Sequence, residues 1–208
     1  PFPAYFDLSV NLITYKEDDR PLSLKALTCI LNSDIAFEWF KFNCTWRGDT
    51  LQIDRNVLAK FPLKIPPQEM QEHLERLHDE VVSLKRKIDE NTSKFKNLVQ
   101  NLKLKPVPVH EVVDLTESYI ASESPEFDAI ELADPLTVRI YRSGEITTLK
   151  FKSLSDRLGF EYALLVEKKF AVYHSPQMAK MESLMELKES LEETIEAINS
   201  AVRKTYFG

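Results

Sequence analysis

Glycine is scarce: the 208 residues contain four, Gly48, Gly144, Gly159 and Gly208. Loops that wrap a nucleotide-type cofactor place several glycines within a few residues, so that the backbone can approach the ligand closely. Four scattered glycines leave little room for one. Cysteine is scarcer still. Cys29 and Cys44 sit in helix-like apolar surroundings and read as free buried thiols in a reducing cytoplasm rather than as a disulfide. No uninterrupted apolar run reaches transmembrane length, and no secretory signal is visible. Of the histidines, His73 and His78 are five apart, off the i, i+4 spacing that brings two imidazoles to one helical face. His110 and His174 are read as having no nearby set of further ligands. A metal site is not expected. The chain opens on Pro1 without a Met, which reads as a fragment or a processed product.

Charge is present but unevenly spread. The net charge of −6 argues against indiscriminate nucleic-acid binding. Yet residues 106–135 carry eight acids and no Lys or Arg, whereas residues 136–175 carry seven bases against four acids and residues 85–105 seven against two. An acidic stretch therefore divides two basic ones, and a locally positive face is available despite the total.

Punctuation along the chain is dense between Leu24 and Pro67. Ser23 predicts an N-cap for a helix with Leu24, Leu27, Ile30 and Leu31 on one face. Asn32 and Ser33 stop it and cap a second helix carrying Phe37, Trp39, Phe40 and Phe42. Gly48 turns the chain, Leu51 and Ile53 alternate like a strand, and Asp54 caps a turn over Arg55–Lys60. Pro62, Pro66 and Pro67 forbid helix until a long one starts. Ahead of this stretch, Tyr5–Tyr15 alternates as one or two strands.

From Gln68 to about Leu104 the apolar residues Leu74, Leu77, Val81, Leu84, Ile88, Phe95, Leu98 and Leu102 follow steps of three and four, broken by Asn91, as in a heptad seam. A helix of that length runs roughly 55 Å. Residues 105–135 read as an acidic linker, with Val107–Leu115 able to form an edge strand and Ser118–Asp134 a surface loop. The segment 105–135 as a whole is either a solvated connection or an acidic DNA mimic or regulatory tail. Leu136–Tyr141, Glu145–Phe151 and Tyr162–Tyr173 read as strands, the first two joined by a hairpin at Ser143-Gly144 and the third turned at Lys168-Lys169. Ser175-Pro176 predicts the start of a last helix, with Met181, Leu184, Leu191, Ile195, Ile198 and Val202 on its seam and Lys188 interrupting it. Met178, Met181 and Met185 read as seam filling.

The expected fold class is therefore α+β: a small mixed α/β domain over 1–67 and a second small antiparallel sheet over 136–174. Two long helices, 68–104 and 175–208, join them as an antiparallel coiled coil, with 105–135 as the linker.

The order of parts resembles the C-terminal specificity (target-recognition) domain of TaqI-like DNA adenine methyltransferases and fused restriction-modification enzymes. The resemblance rests on the helix ending Ile30-Leu31-Asn32-Ser33, the aromatic helix after it, the Gly48 loop and the strand-helix unit running into Phe61-Pro62-Leu63 and Ile65-Pro66. It covers about 45 residues closely and the long helices more loosely. It implies double-stranded DNA as partner, a cytoplasmic setting, and a methyltransferase domain elsewhere that binds S-adenosylmethionine and flips an adenine into an Asn/Asp-Pro-Pro-Tyr/Phe pocket. No such tetrapeptide and no nuclease carboxylate-Lys cluster occurs here, so the fragment itself is expected to be non-catalytic and to hold no cofactor.

Within that reading, Arg47 can fork onto a guanine, Asn43 pair with an adenine and Trp46 stack, with Lys41 and Arg55 as phosphate ligands. Alternatively Trp46 packs in the core and Arg47 pairs with Asp49. Arg139, Arg142, Lys150 and Lys152 form a second candidate DNA contact on a hairpin ribbon, or simply its solvated face. Two other functions stay open. One is a fragment of a type I restriction specificity subunit, which a tandem repeat would favour, and the two halves do not match. The other is a coiled-coil module that binds protein partners.

Overall fold

The computed structural model describes Ile13 and residues 21–114 and 125–208. Apart from Ile13, the expected strands over Tyr5–Tyr15 lie outside the described residues. So does the stretch 118–124 of the expected acidic loop. The described chain is mixed α+β with small antiparallel sheets. It divides into two compact units, one built from residues up to Val81 together with Glu193–Gly208, the other from Val82–Glu192.

In the first unit the caps act as the sequence predicts. Ser23 Oγ accepts from Ala26 N at 3.1 Å and opens α1 (Leu24–Leu31). Ser33, itself buried, does the same for α2 (Asp34–Asn43) by accepting from Ala36 N. Its hydroxyl also donates to Ile30 O at 2.7 Å, so one side chain closes the first helix and opens the second. Residues 43–50, expected as a loop, are instead mostly hairpin. β1 (Thr45–Arg47) pairs antiparallel with β2 (Thr50–Gln52), with Trp46 opposite Leu51 and Gly48 at φ +59° in the turn. The left-handed turn at Gly48 reverses the chain tightly enough for the flanking residues to pair. Asp54 Oδ1 accepts from Asn56 N and Val57 N at 2.8 and 2.9 Å, capping α3 (Arg55–Leu58).

The prolines hold the next helix back to α4 (Gln68–Asn101). The Gln71 side chain is buried at its start. Its Oε1 accepts from Ser23 N, and its Nε2 donates to Pro21 O and Pro66 O, at 2.9–3.0 Å. Leu74 and Leu77 of α4 share a core with Ala26, Ile30, Phe40 and Phe61 and with Ile198, Ala201 and Val202 of the last helix, α6 (Leu184–Phe207). Arg203 of α6 forms an ion pair with Asp34 at the start of α2.

The second unit departs further from the sequence reading. The expected edge strand Val107–Leu115 is broken into β3 (Pro106–Val107), a 3-10 turn and β4 (Val113–Asp114). Ala129–Asp134, expected as loop, forms β5. β6 (Thr137–Arg142) and β7 (Glu145–Phe151) form the expected hairpin, and the four-stranded order is β4-β7-β6-β5. The expected strand Tyr162–Tyr173 is not one element: its first four residues end a helix, and most of the rest is irregular. α5 (Leu154–Leu165) starts at Ser153, whose Oγ accepts from Asp156 N, and every residue from Ser155 to Leu164 is buried. Lys168, at φ +57°, ends this helix rather than turning a hairpin, and Lys169 N reaches back to Ala163 O at 2.9 Å. Only β8 (Val172–Tyr173) is strand, and it pairs with β3.

Ser175 caps a short 3-10 turn, Pro176–Lys180, and not α6 itself, which waits for Ser183. Asn91, the polar break in the α4 seam, is buried; its Nδ2 donates to Glu182 O at 2.5 Å, just ahead of α6. Phe95 of α4 packs in a core with Leu158, Tyr162, Tyr173, Met178 and Leu184. A neighbouring core under the sheet holds Val138, Ile140, Leu149, Phe151, Phe160 and Leu164.

Candidate nucleic-acid interface

Of the first group of sequence-predicted residues, Lys41 and Asn43 lie at the end of α2, Trp46 and Arg47 on β1 of the hairpin after it, and Arg55 at the start of α3. Trp46 is 48% exposed and its indole Nε1 donates to Lys41 O at 3.4 Å, so the ring lies against the end of α2 and not in the core. Phe42 is 84% exposed and Phe37 53%, an unusual density of open aromatic surface for ten residues of helix. Arg47 extends from β1 into solvent, where Thr50 Oγ1 donates to its carbonyl at 2.9 Å. Among the described residues neither Arg47 nor Arg55 forms an ion pair, so the alternative pairing of Arg47 with Asp49 is not made.

Two members are already engaged. Lys41 Nζ donates to Glu38 at 2.8 Å and lies 5.6 Å from the Phe37 ring centre. Asn43 Nδ2 donates to Trp39 O at 2.8 Å, closing the last turn of α2. This stretch therefore offers two unpaired guanidinium groups, on β1 and α3, and three exposed rings, on α2 and β1. That chemistry suits phosphates and unstacked or edge-presented bases.

The second group does not form one face. Successive strand residues point to opposite sides of a sheet. Val138 and Ile140 point into the core, which places Arg139 on the outer side and Arg142 with the inward set. Arg139 Nη1 lies 3.4 Å from Glu131 Oε1 on β5, and the Tyr141 hydroxyl donates to the same carboxylate at 2.5 Å. That hydrogen bond holds the Tyr141 phenol above its ordinary pKa. Arg142 Nε donates to Glu126 O at 2.7 Å, and its guanidinium lies 5.8 Å from the Phe170 ring centre. Lys150 is exposed opposite Thr137, while Lys152 Nζ donates to Glu111 O at 3.2 Å. The expected ribbon of four bases is thus divided between the sheet's two faces and its end.

Among the described residues no group of three His, Cys, Asp or Glu could hold a metal ion. Both cysteines are free thiols; Cys29 is buried, and burial pushes its pKa up to about 11. Among the described residues no helix is long and apolar enough to cross a membrane.

Sequence reasoning passed over the most tightly held polar cluster. Arg157 Nη1 donates to Glu161 Oε1 at 2.6 Å, and both side chains are almost fully buried. Glu161 also accepts from Ser183 Oγ and from Met185 N at the start of α6. Burial pushes the Glu161 carboxyl above its ordinary range, against the pull of Arg157 and these donors. The i, i+4 spacing of Arg157 and Glu161 was the available signal, but it sits in a stretch only partly read as strand. No protein family, curated protein or solved structure matches this chain.

Proposed function

We propose that this chain is a DNA target-recognition module of a restriction-modification enzyme or DNA adenine methyltransferase. It works in the cytoplasm, performs no chemistry itself, and serves a methyltransferase domain that supplies the S-adenosylmethionine site. The observation that carries the reading is the exposure of Phe42 on α2 and of Trp46 and Arg47 on its hairpin, followed by the exposed Arg55 at the start of α3. A side chain that reads bases must be presented to solvent and not tied up by its own protein. Arg47 meets both conditions.

Within this reading α4 and α6 pair as an antiparallel coiled coil that fixes the recognition surface. Its support is the packing of Leu74 and Leu77 with Ile198 and Val202 in one unit, and of Phe95 with Leu184 in the other.

The test is fluorescence anisotropy with a randomised duplex pool, comparing the unmodified chain with Arg47→Ala and Lys150→Ala. Arg47→Ala should relax sequence preference, at about 1–3 kcal/mol of discrimination at the base it contacts. Lys150→Ala should weaken all sequences alike. Identical behaviour of the three proteins would remove the hairpin as the reading surface. Calorimetric binding of S-adenosylmethionine to this chain at micromolar affinity would overturn the division of labour.

A further inference from the structure

Among the described residues β5 pairs on one side only, with β6, so it forms an edge of the four-stranded sheet. The backbone N–H and C=O groups along its other side have no partner among those residues. An open edge of this kind is a template for another extended chain. Beside it, within the second unit, lies a cavity of about 210 Å³. Ile130, Glu131 and Leu132 all line it, although successive side chains of a strand point to opposite faces. What three consecutive residues present in common is the strand's edge. The cavity therefore runs along the side of β5 that β6 leaves open.

The opposite wall is one stripe of α6. Met185, Lys188, Glu189 and Glu192 all line the cavity, and their i, i+3, i+4, i+7 spacing is that of a single helical face. Met185 belongs to the core beneath the sheet, and Ile130, Leu132 and Leu165 pack against it, so the floor is apolar. The rim is acidic. Glu189 and Glu192 are exposed and form no ion pair among the described residues, while Glu131 is shared by Arg139 and Tyr141. Lys188, which interrupts the apolar repeat of α6, is the one base on the stripe. It is half-buried, and burial together with the charge of Lys168 holds its ammonium below the ordinary lysine pKa, against the pull of Glu192.

We propose that this edge binds an extended basic peptide segment of a partner protein, which adds a fifth strand to the sheet beside β5. The added backbone pairs with Ala129–Leu132, ahead of the register shift between Leu132 and Asp134. Alternate side chains of the peptide are apolar and enter the cavity, and those between them are Lys or Arg. Charge selects this occupant. A second copy of β5 would set Glu131, Glu189 and Glu192 of one chain against the same residues of the other. Residues 106–128 of the chain itself carry acids and no Lys or Arg, and meet the same repulsion. This surface is separate from the DNA reading, which rests mainly on the first unit.

The probe is fluorescein-labelled Lys-Val-Lys-Leu-Lys-Val-Lys-amide, titrated against the full chain by fluorescence anisotropy. The expected Kd is about 100 μM or tighter at low salt, weakening as salt rises. Two further peptides separate strand addition from simple charge attraction. N-methylating the Val and Leu nitrogens blocks one edge of the peptide, and N-methylating the Lys nitrogens blocks the other. One of the two should lose binding and the other keep it, because a single edge pairs with β5. Glu189→Lys with Glu192→Lys reverses two exposed charges and should weaken binding at least about tenfold, with a thermal melt to verify the fold. Hydrogen exchange of the Ala129–Leu132 amides should slow in the complex. The proposal is overturned by an absence of saturable binding at about 2 mM peptide, well above the expected Kd, or by equal affinity of the two methylated peptides. Unchanged affinity in the Glu189 and Glu192 variant, unslowed exchange at saturation, or a dimer in sedimentation whose β5 amides are already protected would overturn it too.

Discussion

Arg157 and Glu161 illustrate how little of a buried ion pair is a gain in stability. Taking both charges out of water costs several kcal/mol for each ion, roughly offset by their mutual attraction and the added hydrogen bonds. Here those bonds come from Ser183 and from the free N–H of Met185 in the first turn of α6, where the helix dipole also favours a carboxylate. Removing one partner should therefore cost far more than removing both. Arg157→Ala is expected to lose about 3–5 kcal/mol in urea unfolding, while Arg157→Met with Glu161→Leu loses much less. Cys29 makes a second prediction at this scale. Its thiol donates to Leu74 O at 3.5 Å and stays neutral in the fold, with its pKa raised from 9.0 to about 11. The folded form is the one that holds the proton, so this contribution is intact below pH 9.0 and lost as pH rises toward about 11. Thiol labelling at about pH 8 should accordingly modify Cys44 first and reach Cys29 only on unfolding. Ser23, Ser33 and Asp54 were legible as caps because capping is decided by neighbours in the chain. The Arg157–Glu161 pair was not, because its burial is decided by elements distant in sequence.

At the scale of elements, α4 was legible over its whole length and α5 was not, for one physical reason. α4 has a wet side, and its apolar spacing shows against the polar residues between. α5 is buried all round, its polar Asp156, Arg157 and Glu161 included, so no solvated stripe marks its period, and its last residues, Tyr162–Leu165, are a short apolar run that reads equally as strand. Gly159 shows how tightly α5 is held. A Cβ at this position would lie 2.0 Å from Tyr173 O on β8, and that atom is backbone and cannot rotate away. Gly159→Ala should cost about 1–3 kcal/mol or more as the helix is pushed off the strand, read as a fall in Tm. The seam of α4 is uneven in the same way. Phe95 is fully buried and Leu102, past the helix end, is 45% exposed. Phe95→Ala should lose about 3–5 kcal/mol and Leu102→Ala within about 0.5, although both hold the same place in the repeat. The strand β5 was hidden by the acidic composition around it, since strand pairing with β6 is a tertiary gain that charge content does not report.

For the whole molecule, the proposal that the chain binds DNA, taken with the balance of −6, predicts binding that is weak and carried by a few phosphate contacts. With two to four contacts the plot of log K against log salt should have a slope of about −2 to −4. Lys150→Ala should flatten that slope by about one unit if its contact is to phosphate, whereas Arg47→Ala should chiefly alter which sequence is preferred. The separation of charge along the chain was legible from the start. Its placement was not: Arg139, Arg142 and Lys152 are each taken up by a carboxylate or carbonyl of their own unit, and spacing alone does not reveal a partner.

The division of the chain at Val81 and Glu193 also has a consequence for synthesis. The first unit is discontinuous: Leu74 must wait for Ile198 and Val202 before its core can close. About 120 residues separate them, which at ribosomal rates is roughly 6–25 s. Everything the second unit needs, Val82 to Glu192, is made within that interval. Of these two units the one that begins first is therefore finished last, and until then Ile30, Phe40 and Phe61 lack the helix that covers them. A chain stalled or cut just before Ile198 would carry a completed second unit and an open first core, the form most exposed to aggregation.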